Sequence, residues 1–192
     1  LGKPIYKSPC DGRDFVDDSE RIAFSSQVKN IESQMKSAQT LPSFEKAGPR
    51  AKIFHPLKNT RAAIVTCGGL CPGLNNVIKG LVNVLKNEYG ITNVLGVRYG
   101  YKGITRGSAH DPFLLNTEVV KEIHNQGGTI LGSSRGNQDA VEMVDKLIEW
   151  NVNLLFTIGG DGTLRGASTI ASEIRKRELP ISVVGIPKTI DN

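Results

Sequence analysis

The sequence predicts an α/β protein: three layers, with a mostly parallel sheet and helices on both faces. Three observations carry this. From Arg61 onward, short apolar runs alternate with stretches of helical periodicity. The apolar runs are near-continuous, as strands buried on both faces are. The glycine-rich turns of this region follow such runs, which puts them all at the carboxyl edge of the sheet, where ligands collect in folds of this kind.

Residues 1–46 read as an N-terminal extension, and residues 47–192 as the main domain. Prolines recur early (Pro4, Pro9, Pro42, Pro49, Pro56), and one stretch, Asp18 to Ala38, has helical spacing that places Phe24, Val28, Ile31 and Met35 on one face. The extension is expected to lie on the main domain or to mediate assembly. The regular pattern then begins. Ala62 to Thr66 is a buried strand, and Leu74 to Asn87 a helix that Gly90 stops. Asn93 to Tyr99 is a second strand, followed by the loop Gly100-Tyr101-Lys102-Gly103. Thr117 to Gln126 has helical spacing with Gly127 as its stop, and Thr129 to Leu131 reads as a short strand leading into Gly132-Ser133-Ser134-Arg135-Gly136. Asp139 to Asn151 is a helix, Asn153 to Ile158 a strand, Leu164 to Glu178 a helix and Ile181 to Ile186 the last strand.

Composition bounds the function. The 192 residues are 39% hydrophobic with a net charge of +5, so one full-size soluble domain is affordable and the positive excess is mild. The one tight basic cluster, Arg175-Lys176-Arg177, falls near a helix end, where cations suit the dipole, and no aromatic series interleaves it. No nucleic-acid partner is expected. Cys10, Cys67 and Cys71 make no disulfide framework. No apolar run approaches the ~18 residues of a membrane span, and no signal pattern opens the chain, so a cytoplasmic location is expected. The chain begins at Leu1, as a processed protein or a fragment would.

Three stretches carry chemistry. Thr66-Cys67-Gly68-Gly69-Leu70-Cys71-Pro72-Gly73 has glycines at P-loop spacing, but Leu74-Asn75 stand where Lys and Ser/Thr would be required, so it is not a Walker motif. It remains a glycine loop that opens a helix and can donate amides to phosphate. Gly159-Gly160-Asp161-Gly162-Thr163 sets one carboxylate at a helix start. By itself it fits a helix cap as well as a nucleotide–metal site, in which Mg²⁺ would sit between Asp161 and phosphate. Pro187-Lys188-Thr189-Ile190-Asp191 places a carboxylate past a strand end, suited to take a proton from a hydroxyl, or forms an ordinary turn. Arg135 brings a guanidinium to the same edge, where it suits phosphate oxygens; taken alone, it reads better as an ordinary surface arginine.

Taken together, Gly68–Asn75, Gly100–Gly103, Gly159–Thr163 and Pro187–Asn192 stand in the order and approximate spacing of the phosphofructokinase family, which the chain resembles from about Ala47 to Asn192. Ala47-Gly48-Pro49-Arg50 and the long extension resemble the branch of ATP-dependent enzymes related to pyrophosphate-dependent ones. The resemblance implies a phosphofructokinase-like nucleotide-binding domain, incomplete at its C-terminal end, and a considerably longer chain. It implies that Gly68, Gly69, Tyr101, Arg135, Gly136, Gly160, Gly162, Thr163 and Gly166 contact or adjoin the nucleotide, and that Asp161 binds Mg²⁺. Lys188, Thr189 and Asp191 match the fructose 6-phosphate side, with Asp191 as the base for the sugar's 1-hydroxyl. The implied partners are ATP, fructose 6-phosphate and further copies of the chain, a homo-oligomer (a tetramer) when full length. This fragment alone is expected to be inactive.

The implied donor rests on Gly162. In the family, glycine there goes with ATP and aspartate with pyrophosphate, because a side chain would collide with the nucleotide's α-phosphate. Lys188 is usual in pyrophosphate users, and the related ATP-dependent branch combines the two. Alternatives are a pyrophosphate-dependent phosphofructokinase and a catalytically silent regulatory or binding fragment. NAD kinases and diacylglycerol kinases resemble the chain only at Gly159–Thr163.

Overall fold

The computed structural model describes residues 2–10, 14–37 and 40–189. Contacts divide the chain into a small unit, Ile5–Ile53, and a larger one from Phe54 onward together with the first few residues.

In the small unit, β1 (Tyr6–Lys7) pairs antiparallel with β4 (Lys52–Ile53), and β2 (Arg21–Ala23) with β3 (Ser43–Glu45), around the helix α1 (Val28–Lys36). The helix is shorter than the Asp18–Ala38 periodicity suggests; Ala38 lies outside the described residues. The physical reason is that β2 commits its backbone to β3, with Ile22 opposite Phe44. The Phe24 ring then packs on Phe44, 5.5 Å between centroids, rather than joining Val28 and Met35 on a helix face. Lys46–Glu20 at 2.6 Å and Arg50–Asp18 at 3.0 Å brace the unit. Its helix buries none of its side chains.

The larger unit is built on β5 (Arg61–Thr66), β6 (Asn93–Val97), β7 (Phe113–Leu115), β8 (Leu154–Gly159) and β9 (Ser182–Pro187), in the order β7-β6-β5-β8-β9. All pairs are parallel except β6–β7. The helices are α2 (Leu74–Asn87), α3 (Ala140–Glu149) and α4 (Asp161–Lys176). Alternation along β5 explains its unbroken apolar reading. Ala62 and Ile64 point into a core completed by Leu74, Ile78, Val82 and Leu85 of α2. Ala63 and Val65 point into the opposite core with Met143, Val144 and Leu147 of α3 and Ile170 and Ile174 of α4. Helices on both faces of a mostly parallel sheet are thus what the structure contains.

Two expectations are corrected. Thr117–Gln126 is not an α-helix. Asn116 accepts the Val119 amide on its side chain (2.9 Å) as a helix cap does, but after one i to i+4 bond, from the Val120 amide to the Asn116 carbonyl, the run tightens to i to i+3 turns that end in a 3₁₀ turn at Ile123–Asn125. That path buries Val120 and Ile123. Thr129–Leu131 is a turn rather than a strand: the Gly132 amide donates to the Thr129 carbonyl, and the Thr129 hydroxyl accepts from Leu131. The sheet edge is taken instead by β7, too short to stand out in the sequence, whose Leu115 is buried while Leu114 faces outward.

This topology positions the site. From β5 the chain crosses to β6 on one side, and from β8 to β9 on the other. The order therefore reverses between β5 and β8, and a crevice opens at their carboxyl ends.

Candidate active site

Both glycine loops emerge at that crevice. The β5–β8 pairing runs on to the Cys67 amide, which donates to the Ile158 carbonyl at 2.9 Å. The backbone then turns at Gly68, with φ +79, a region that disfavours any residue with a Cβ. The turn is bolted to the Gly132–Gly136 loop from both directions: the Gly68 amide donates to the Ser134 carbonyl (3.0 Å), and the Ser133 hydroxyl donates to the Gly68 carbonyl (2.5 Å). Deeper, the buried Thr66 hydroxyl donates to the Gly132 carbonyl at 2.7 Å. Asn75, which stands where a Walker motif would need a hydroxyl, is a buried brace: its amide group bridges the Gln126 carbonyl and the Ile130 amide.

The second loop starts α4. Gly160 precedes the helix without any side-chain cap, so the first-turn amides stay free toward the crevice. Asp161 is exposed at the first helical position. The Lys188 amide donates to the Gly159 carbonyl at 2.9 Å, which carries the end of β9 alongside.

Two cations converge here. A Cβ placed on Gly69 would lie 3.7 Å from an Arg135 guanidinium nitrogen and 3.8 Å from the Lys188 ammonium. Neither cation is paired with a carboxylate of the described residues. Free amides and two cations without a carboxylate partner among the described residues form a polyanion cradle around one hollow.

The cradle is a cavity of about 270 Å³. Of the residues expected from sequence, Gly68, Gly69, Tyr101, Arg135, Gly136, Gly160, Gly162, Thr163 and Lys188 line it. An adjoining cavity of about 510 Å³ shares Tyr101, Gly136 and Gly162 and adds Gly166. Thr189 lines neither and lies just past β9. Asp191 lies outside the described residues. Cys67, Ser134 and Asn137 also line the first cavity, and Gln138, Met143, Arg165 and Thr169 the second. Arg165 had a legible signal, since it stands one helical turn after Asp161.

Tyr101 is more enclosed than a ligand-facing residue would be. Only 6% of it is exposed, and its hydroxyl donates to the Thr163 carbonyl at 2.7 Å. Its ring lies flush on α4, where a Cβ on Gly166 would come within 2.6 Å of it. Burial pushes its hydroxyl pKa up. Burial likewise pushes the Cys67 thiol up to about 12, so that group is no nucleophile near neutrality. Gly162 is the opposite case: a Cβ there meets nothing within 4 Å and projects into open space.

For a metal, the described residues hold no cluster of three acidic, His or Cys side chains; Asp161 lines neither cavity and stands exposed between the lining residues Gly160 and Gly162 as the one carboxylate at the start of α4. That suits Mg²⁺, which keeps several waters and is held through one or two carboxylates plus substrate phosphates. Among the described residues no helix is long and apolar enough to cross a membrane.

A doubly wound α/β domain with paired glycine loops and unpaired cations at its switch point defines a class of phosphate-handling proteins. Comparison with known proteins narrows it. Residues 61–192 match the family model described as Phosphofructokinase. The chain is 53% identical over 167 residues to an ATP-dependent 6-phosphofructokinase of Entamoeba histolytica, covering 87% of this chain and 37% of that protein. It is 50% identical over 179 residues to the enzyme of the same name from Borreliella burgdorferi, covering 93% of this chain and 39% of that one. The solved phosphofructokinase structure from Saccharomyces cerevisiae superposes with a TM-score of 0.59 at 26% identity, over 70% of this chain and 20% of that one. The chain belongs to the phosphofructokinase family. It spans less than two fifths of the length of the two curated relatives.

Proposed function

We propose that the full-length protein is an ATP-dependent 6-phosphofructokinase, a glycolytic phosphotransferase that moves the γ-phosphoryl of ATP to the 1-hydroxyl of fructose 6-phosphate. The observation that carries the reading is the pair of adjoining cavities with Gly162 at their junction and the free cations at one end. The relatives from Entamoeba histolytica and Borreliella burgdorferi, both ATP-dependent 6-phosphofructokinases by name, support the same reading.

The triphosphate lies in the smaller cavity, against the amides of Gly68 and Gly69, the α4 amides, Arg135 and Lys188. The nucleoside extends past Gly162 into the larger one, along Tyr101, Gly136 and Gly166. Asp161 holds Mg²⁺, which when bound neutralises the phosphate oxygens. Asp191 takes the proton as the sugar hydroxyl attacks in line, and Thr189 contacts the acceptor. Most of the rate gain in such a transfer comes from positioning and electrostatics. The general base contributes typically ~10²–10⁴-fold. We place the protein in the cytoplasm as a homo-oligomer, whose other copies and C-terminal half complete the acceptor site; the extension 1–46 serves assembly.

Pyrophosphate as donor is the second reading, favoured by the Lys188 ammonium at Gly69. A phosphofructokinase assay of the full-length protein with ATP and with pyrophosphate decides between them. ATP turnover with little pyrophosphate turnover is expected; the reverse overturns the donor assignment, and neither activity overturns the enzyme. Asp191→Asn should lower turnover by orders of magnitude with nucleotide affinity retained, and near-normal turnover would remove the base.

A further inference from the structure

On the far side of the Gly132–Gly136 loop lies a third cavity, of about 370 Å³. Ser133 and Ser134 form its wall toward the cradle. Tyr99, Lys102 and the segment Gly107–His110 form the rest, and no carboxylate lines it. Lys102 and His110 are exposed, and the Lys102 ammonium has no ion-pair partner among the described residues. The cavity thus presents an ammonium, an imidazole and the Ser134 hydroxyl, with no lining carboxylate to oppose an anion, while the Ser133 and Ser108 hydroxyls are committed to the Gly68 and His110 carbonyls.

Tyr99 shows that this wall is built. Its backbone sits in the left-handed region at φ 57, uncommon for an aromatic residue. The conformation is held from three sides. The Tyr99 amide donates to the Leu131 carbonyl at 2.8 Å. Its ring lies over Gly132, where a Cβ would come within 2.9 Å, and against the His110 imidazole with centroids 4.6 Å apart. Tyr99 therefore ties the floor of this cavity to the first residue of the loop that carries Arg135. Two residues further along that loop, Ser134 lines both this cavity and the cradle, and its carbonyl accepts the Gly68 amide.

We propose that this cavity is a second anion site, for a small phosphate monoester, coupled to the cradle through the Gly132–Gly136 loop. A phosphate group meets Lys102, His110 and the Ser134 hydroxyl. The cavity has room beyond a bare phosphate for a short carbon chain. An occupant that engages Ser134 shifts a loop whose next residue is Arg135 and whose carbonyl fixes Gly68, so it changes how the cradle holds its own anion.

The test is a calorimetric titration of the full-length protein with inorganic phosphate and with glycerol 3-phosphate, on wild type, Lys102→Ala, His110→Ala and Arg135→Ala. Lys102 is exposed and has no ion-pair partner among the described residues, so its replacement leaves folding alone; His110→Ala also removes the ring against Tyr99, so Lys102→Ala is the deciding variant. Lys102→Ala and His110→Ala are each expected to weaken binding of both probes about tenfold or more, as loss of a charge-assisted contact does. Arg135→Ala should remove only the binding that the cradle itself offers these probes and leave the third-cavity event unchanged. Glycerol 3-phosphate should bind tighter than phosphate; no gain for the ester would overturn the monoester in favour of the free ion. Wild-type titrations in Lys102→Ala and His110→Ala, or loss in Arg135→Ala alone, would overturn the site. Glycerol 3-phosphate should also shift the affinity for a non-hydrolysable ATP analogue several-fold in wild type and not in Lys102→Ala; no shift in wild type overturns the coupling. The first arm stands or falls without reference to the donor, so its failure is separable from failure of the proposed function.

Discussion

Helix α4 carries two glycines one turn apart, and a matched pair of substitutions separates packing from function in it. In a helix interior Gly→Ala gains about 1 kcal/mol of intrinsic propensity, less near the ends. At Gly166 the new methyl would lie 2.6 Å from Cε2 of Tyr101 and 3.3 Å from two further ring atoms. That ring is 6% exposed and its hydroxyl is tied to Thr163, so it cannot swing aside freely. Overpacking of this kind costs about 1–3 kcal/mol. Gly166→Ala should therefore destabilise α4 by up to roughly 2 kcal/mol net. At Gly162 the methyl meets nothing, so Gly162→Ala should be neutral or stabilising by up to about 1 kcal/mol. Gly162→Asp should likewise fold. Its carboxylate would face the phosphates, and two unit charges ~4 Å apart at an effective dielectric of ~20 repel by about 4 kcal/mol. With Arg135 and Lys188 offsetting part of this, a loss of about a hundredfold in ATP affinity is expected. Hydrogen exchange of the α4 amides reads the stability arm in a long chain where one global unfolding free energy is not defined, and equilibrium binding of an ATP analogue reads the other. Equal destabilisation by Gly162→Ala and Gly166→Ala, or unchanged ATP affinity in Gly162→Asp, would refute the reasoning.

Three further outcomes follow from single contacts. Thr66→Val removes a buried hydroxyl that donates to the half-buried Gly132 carbonyl, a loss of about 1–3 kcal/mol, and should loosen the loop bearing Arg135 so that nucleotide affinity falls along with stability; thermal melts and analogue binding check both. Alkylation at about pH 8 should modify partly exposed Cys71 well before buried Cys67, whose thiol stays protonated, and peptide mapping that finds Cys67 labelled first would contradict its burial. Hydrogen bonds from Arg177, joined by Arg106, hold the Asp145 carboxyl below the usual carboxylate range. A depressed carboxylate contributes stability above its unfolded pKa of 3.8 and loses it as pH falls through the lower folded value. The melting difference between wild type and Asp145→Asn should thus persist at neutral pH and vanish in acid below that range, most visibly at low salt because the pair is solvent-screened.

Much of the larger unit was legible because its signals are local. The 3.6-residue period of Leu74–Asn87 and the apolar runs of β5 and β8 belong to elements whose whole face is buried, so pattern and structure coincide. The cavity-lining glycines were legible too, since turns after parallel strands share one edge. What failed depends on partners distant in sequence. Arg21–Ala23 reads as helix until Ser43–Glu45 pairs with it. Thr117–Gln126 has helical spacing and Asn116 caps it as a helix start, yet beyond the Val120 amide its bonds tighten to i to i+3 turns. Phe113–Leu115 is a strand only because β6 offers an open edge. Asn137 and Gln138 enter the cavities through the path of the loop after Arg135, which no periodicity announces.

The placement of Lys188 bears on the donor differently than its sequence context suggests. Its ammonium sits with Arg135 over Gly69, at the end of the crevice where the cations and loop amides gather. Any polyphosphate would use that end, whatever is attached to it. A charge there raises affinity for ATP and pyrophosphate alike and so separates neither from the other. Discrimination has to come from where the two donors differ, beyond the last phosphate that pyrophosphate possesses. On the donor placement proposed above, Gly162 stands at that point, since it lines both the smaller cavity, assigned there to the phosphates, and the larger one, assigned to the nucleoside. Lys188→Ala should accordingly weaken both donors by similar factors, whereas Gly162→Asp should change their ratio. A Lys188→Ala protein that lost one donor selectively would place the discriminating contact at the cationic end instead.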